Sequence, residues 1–333
     1  EQATATLQFA DGATLVLEPN SHIEMNLLTQ HQHTGMVNTR LNLITGAAKT
    51  RVPKRQPRSN FSVSTPSAIA AVRGTDFGVS ASAGEMRGEV FEGLVSVAKP
   101  EKLPSNNKNK TDNKNNNNAG VHLAKNYGLL VKKGEPLTQP TKLLPPVLGL
   151  SSQKHALLPY TLKWQPQAEA ISYKIELLAQ NKSQDVLISH YQQQNTWVLP
   201  LNKSQCFTVR ISAIDQFELQ GMPAIQDLCV SQPLSAVKNI TMNNSQLNWQ
   251  PLAGAKSYFI QASKNENFDS PKIIGQTHQN FYALSNNLNG YYLRVIAVDE
   301  QGLKGAQSEG IKYQKPNTQG IIATLLFMLL LAL

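Results

Sequence analysis

Apolar and polar residues alternate along this chain with the two-residue period of a half-buried β-strand. Ala3, Ala5, Leu7 and Phe9 alternate with Thr4, Thr6 and Gln8, and Phe61, Val63 and Thr65 alternate with Ser62 and Ser64. Pro66 holds the preceding Thr65 extended. The pattern then runs through Ile69–Val72, breaks at Arg73-Gly74-Thr75, and resumes at Phe77, Val79 and Ala81. Glu92-Gly93 breaks it again before Leu94, Val95 and Val97. Short runs joined by glycine-containing turns predict an all-β unit with no long helix. Gly74 and Gly93 are expected where a turn needs positive φ or strands approach closely.

The motifs in these runs are more specific than their period. F-x-V-x-T-P holds Phe61, Thr65 and Pro66; A-x-x-R-G-T-x-F-x-V holds Arg73, Gly74, Thr75 and Phe77; V-F-E-G-x-V-x-V holds Glu92 and Gly93. Upstream, Asp11-Gly12 sits between two apolar runs, and Leu41 to Gly46 reads L-N-L-I-T-G. Together these resemble the FecR domain, a bacterial envelope module, over about the first third of the chain. The resemblance implies a β domain of short strands, solenoid- or roll-like, at residues 1–134, in which the motif residues are structural. Residues 105–118, SNNKNKTDNKNNNN, read as a disordered insertion in its last hairpins. Residues 135–155, with Pro136, Pro140, Pro145 and Pro146, read as a stiff linker.

The second half repeats itself. Trp164-Gln165-Pro166 recurs as Trp249-Gln250-Pro251, Ser172-Tyr173-x-Ile175 as Ser257-Tyr258-x-Ile260, and the run from Phe207 to Asp215 as Tyr291 to Asp299. A period of 84 or 85 residues suits a sandwich domain, not a solenoid. The order of Trp, Tyr and R-I/V-x-A strand is similar to fibronectin type III, which places repeats at 156–232 and 233–314 and assigns Trp164, Trp249, Tyr173 and Tyr258 to core packing.

Composition adds three features. The net charge of +9 is spread evenly, with one cluster free of acidic residues: Lys49, Arg51, Lys54, Arg55 and Arg58. It reads either as an anion-binding patch or as a solvated loop, and no nucleic-acid motif accompanies it. The two cysteines, Cys206 and Cys229, flank Phe217-Glu218 symmetrically. A cross-strand disulfide and two buried thiols are both open. Residues 315–333 end in the uncharged GIIATLLFMLLLAL of Gly320–Leu333. As a helix it would span about 21 Å against about 30 Å of hydrocarbon, and it is expected to be a membrane-seeking segment. With no initiator Met, the chain reads as a mature product or a fragment.

Catalytic signals are weak. His22, His31 and His33 include an H-x-H pair, but no Cys or Asp joins them at ligand spacing. Asp11 and Asp76 stand in turn contexts, where carboxylates cap backbone N–H groups. No nucleophile elbow, zinc-protease motif or P-loop occurs, so neither catalysis nor a cofactor is expected. The expected function is therefore a non-enzymatic, periplasm-facing envelope scaffold binding a protein partner or peptidoglycan, held to the membrane by Gly320–Leu333, without a nucleic-acid partner. Some FecR-like proteins relay signals to a sigma factor, but with a cytoplasmic segment before a membrane helix, which this order does not show. The order more resembles FecR-plus-repeat proteins that often carry a peptidoglycan-binding LysM module. Glycan binding is a further alternative if Trp197, Tyr282 and Tyr292 share an exposed face.

Overall fold

The computed structural model describes residues 3–30, 37–53, 60–72, 74–100, 120–181, 185–243 and 245–315. Arg73, the 105–118 tract and the expected C-terminal apolar helix lie outside them. The described chain is all-β, and none of its helices is long and apolar enough to cross a membrane. It divides into two compact units: residues 1–152, 161–199 and 206–228, and residues 153–160, 200–205 and 229–333.

The first unit opens with twelve strands: β1 (Ala5–Gln8), β2 (Thr14–Leu17), β3 (His22–Gln30), β4 (Val37–Arg51), β5 (Asn60–Ser64), β6 (Ile69–Val72), β7 (Asp76–Ser82), β8 (Glu85–Glu92), β9 (Leu94–Ala98), β10 (Val121–Ala124), β11 (Tyr127–Lys132) and β12 (Thr141–Lys142). They form one sheet in the order β10-β9-β6-β5-β4-β7-β8-β11-β12, with β2 and β3 on β4 and β1 on β2. The strands are not all short. β4 runs for 15 residues; its first half pairs with β3 and β5, and its second half with β2 and β7.

Gly46 makes this possible. Buried positions on β4 are odd before it (Thr39, Leu41, Leu43) and even after it (Ala48, Thr50), so the strand changes its inward face there. Gly46 has φ of 92°, and a Cβ on it would lie 2.4 Å from the Ser21 Cα. Only glycine lets the strand bend while both halves face one interior.

That interior holds the motif residues. Phe61 is fully buried and meets Phe9 and Phe77 edge-on, at centroid distances of 6.1 and 6.5 Å. Thr65 shapes the turn after β5: its hydroxyl accepts the Ser67 and Ala68 N–H groups and donates to the Ala68 carbonyl. Gly74 and Gly93 both have positive φ, 74° and 89°. A Cβ on Gly93 would lie 2.6 Å from the Thr75 Cγ2 and 2.7 Å from the Gly74 carbonyl oxygen. Gly93→Ala is expected to cost about 2–3 kcal/mol, strain plus clash, whereas Gly290→Ala, with φ of 86° and open space around it, bears about 1 kcal/mol of strain alone. Denaturant melts of the two variants check the difference.

A two-sheet sandwich completes the first unit: β14 (Thr161–Lys163) pairs with β17 (Thr196–Val198), and β15 (Ser172–Ala179) lies between β16 (Val186–Gln192) and β18 (Gln205–Ile214), with β19 (Ala224–Ser231) beyond β18. In the second unit β13 (His155–Leu157) runs parallel to Cys229–Ser231. That unit's sandwich has β20 (Thr241–Asn243), β21 (Gln246–Asn248) and β24 (Phe281–Ala283) in one sheet. The other contains β22 (Ser257–Ser263), β23 (Lys272–Thr277), β25 (Tyr292–Val298), β26 (Lys304–Gln307) and β27 (Ile311–Lys312). Leu247, Trp249, Ile260, Val295 and Tyr313 fill its core.

The repeats agree in detail. Trp164 meets Tyr173 at 5.3 Å and Trp249 meets Tyr258 at 5.2 Å, all four buried. Each tyrosine oxygen accepts a backbone N–H, from Gln167 and Leu252. Asp215 and Asp299 each take two N–H groups in the turn after the central strand. The expected linker takes part in this architecture. The Leu144 carbonyl accepts the Met222 N–H at 2.8 Å, as the Leu234 carbonyl accepts that of Ala306. Gly221 and Gly305 are the neighbours that permit these close approaches. Both cysteines are disulfide-bonded.

Candidate functional site

β15 differs from its counterpart β22 at two positions that decide what its outer face can do. Ser-Tyr-Lys174-Ile-Glu176 stands where the second repeat has Ser-Tyr-Phe259-Ile-Gln261. Lys174 and Glu176 are nonetheless almost wholly buried, 4% and 3% exposed, so both faces of β15 are covered. The cover is the twelve-stranded sheet. Lys174 donates from Nζ to Glu18 Oε1, just past β2, and lies 3.6 Å from Glu176 Oε1. Arg210 Nε, on β18, donates to Glu176 Oε2 at 2.6 Å, and the Tyr191 hydroxyl donates to Glu18 Oε2 at 3.1 Å.

This is a buried network of alternating sign. Burial alone would push the Glu176 carboxyl up, but Lys174 and Arg210 outweigh it and hold the group well below the carboxylate range. Burial pulls the Lys174 ammonium down, and Glu176 and Glu18 more than offset that. Arg294 of the second repeat instead donates to the neutral Gln261 at 2.7 Å. The charged pair thus stands in the first repeat and the neutral amide in the second.

Around it the seam is sealed by other contacts. Arg87 of β8 reaches Glu85 and Glu218, at 2.9 and 2.7 Å, and donates to the Phe217 carbonyl. Phe91, Leu143 and Leu219 pack into a separate apolar cluster. A cavity of about 120 Å³ remains, lined by Lys49, Glu89, Lys174 and Tyr191 among others. Glu89 is 7% exposed, and its one hydrogen bond among the described residues is from the Gln220 N–H at 3.3 Å. Burial raises its carboxyl to about 7, and burial, followed by the Arg210 charge, lowers Lys49 to about 8.

Residues 1–96 match the family model described as FecR protein. The FecR-matched sheet thus supplies one wall of the seam and the first repeat the other. Among solved structures, 42% of the chain is similar to a candidate anti-sigma factor from Parabacteroides distasonis, at 19% identity and a TM-score of 0.30. The chain spans 56% of that structure's length. Fibronectin(III)-like modules of Clostridium thermocellum CbhA align with 52% of this chain and 94% of their own, at 11% identity and a TM-score of 0.30. Domains A168–A170 of titin align with 69% and 93%, at 12% identity and 0.26. These scores carry no argument about this protein. No curated protein matches the chain.

Most FecR motif residues serve the fold. Phe61, Phe77 and Thr75 are buried; Asp11 Oδ1 accepts the Ala13 N–H; Gly12 has φ of 81°; and exposed Glu92 pairs with Lys125 at 2.6 Å. The basic cluster is split up. Lys49 is half-buried with Nζ 4.5 Å from the Phe91 ring centre, and Arg51 pairs with Asp76 at 3.2 Å. Lys49 therefore faces the seam and not bulk solvent, because the even positions after Gly46 face the core and the odd ones, Lys49 among them, face the first repeat. Lys54, Arg55 and Arg58 lie outside the described residues, as do His31 and His33. Among the described residues no His, Cys, Asp and Glu group could hold a metal. The seam itself was missed in the sequence; its one signal was the Lys and Glu pair on a strand whose repeat partner carries Phe and Gln.

Proposed function

We propose that this is a non-enzymatic cell-envelope protein in which the FecR-matched sheet, joined to a sandwich through the charged seam, holds a rigid platform facing a partner in the periplasm. The observation that supports it is the FecR match together with the use of that module's motif residues for core and turns. Such residues build a platform and leave its surface free to vary. The second reading is a regulator that relays an envelope signal to a sigma factor, which the same match also permits.

The glycan-binding alternative has less in its favour. Trp197 stacks on His190 at 5.0 Å, Tyr282 donates to the Ile274 carbonyl from within the second core, and Tyr292 is half-buried beneath Lys312. None presents a bare ring face of the kind a sugar stacks on.

The test is fractionation of the native protein from its source cells with protease protection of spheroplasts. A photo-crosslinker is placed at Met25 or Leu28, the exposed apolar residues of β3. Cleavage from outside and a discrete protein adduct are expected. Recovery in the cytoplasm would overturn the envelope reading, and a sigma-dependent transcriptional change on deletion would favour the regulator.

A further inference from the structure

Among the described residues, Glu89 is the one glutamate of the seam without a cation. Glu18 has Lys174, Glu176 has Arg210 and Glu218 has Arg87, whereas Glu89 makes no ion pair and a single long hydrogen bond among the described residues. It also sits over a gap kept for it. A Cβ on Gly78 of β7 would lie 2.8 Å from Glu89 Oε2, so the side chain occupies space that only glycine leaves open. A buried, unpaired carboxylate is costly, and the neutral acid is the form such a site accepts.

We propose that protonation of Glu89 is a latch: the neutral acid holds the FecR-matched sheet against the first repeat, and ionisation loosens the seam around Gln220. The charges facing Glu89 leave room for this behaviour. Lys49 reaches the cavity from β4 and Lys174 from β15, and the Arg87 charge acts on Glu89 from β8 itself. Against them stand Glu18 after β2, Tyr191 on β16, and Asp215 and Glu218 in the turn after β18. β7 lines the cavity with Gly78, Val79 and Ser80, none of which titrates. Lys174 and Arg87 already bind other carboxylates, and Lys49 is itself held towards its neutral form by burial.

The sign follows from linkage. The closed seam binds the Glu89 proton more tightly than the open one does, so closure is fully favoured below the ordinary carboxylate value of 4.5. It weakens as pH rises to about 7 and is then constant with respect to this group. Lys49 acts only higher, between about 8 and its ordinary 10.5, where rising pH favours closure.

The experiment is hydrogen exchange of the whole chain at pH 5 and pH 8, corrected for intrinsic rates, read at the peptide containing Gln220. Protection is expected to fall by about tenfold or more in the wild type and to stay level in Glu89→Gln, which cannot ionise. A level profile in the wild type, or an equal fall in the variant, overturns the latch. Should the variant not fold, the wild-type profile still decides, together with a carbon-13 titration of Glu89: titration in the ordinary carboxylate range overturns it as well.

Discussion

Glu176→Ala is expected to destabilise the first unit by about 3–5 kcal/mol, among the largest losses any single polar residue here can cause. The carboxylate is 3% exposed and bonds to Arg210, with Lys174 beside it. Its removal leaves Arg210 without that partner and Lys174 with Glu18, both almost wholly buried. Gln261→Ala, the matching change in the second repeat, removes a half-buried amide from Arg294 and should cost about 1 kcal/mol. Urea unfolding of both variants measures the contrast. Losses of similar size would mean that the first repeat's network adds nothing beyond a neutral hydrogen bond. Replacing Lys174, Glu176 and Arg210 together by apolar residues of similar volume is expected to be near neutral, because the burial cost goes with the charges. Acid should mimic the single deletion. The Glu176 carboxyl is held low in the fold, so its stabilisation is present above 4.5 and fades as pH falls through its folded value.

Phe61→Ala should cost about 3–5 kcal/mol in the same unit, by cavity formation and not by charge. Phe61 is 0% exposed between Phe9 and Phe77, on a strand that runs parallel to β4, so its loss opens a cavity inside the core. Phe281→Ala, at a site 37% exposed on β24, should cost well under half as much. Thermal melts followed by circular dichroism are the check, and equal shifts would place Phe61 outside the cooperative core. The aromatic trio would then be a motif without a packing role.

Much of this architecture was legible in the chain. Two-residue alternation specified strands because a strand's side chains point to opposite faces whatever lies beyond them. The repeat was plain because Trp164 and Trp249, Tyr173 and Tyr258, and Asp215 and Asp299 solve the same local problems of packing and turn capping. Gly93 and Thr65 declared turns through backbone conformation and a hydroxyl reaching its own neighbours. All of these are interactions whose partners lie close in sequence, or whose pattern recurs.

The tertiary structure alone decided the rest. That β4 is one long strand depends on Ser21 coming so close to Gly46 that a methyl group cannot fit, a contact across 25 residues. The basic cluster looked continuous because its residues are adjacent in sequence, yet the fold turns Lys49 towards Phe91 and Arg51 towards Asp76. The seam is the clearest case. Lys174 is 156 residues from Glu18, and Glu89 is 131 from Gln220. Along the chain a charged residue on a strand reads as solvent-facing. Only the arrival of a second surface makes it buried, paired or, at Glu89, left without a counter-charge.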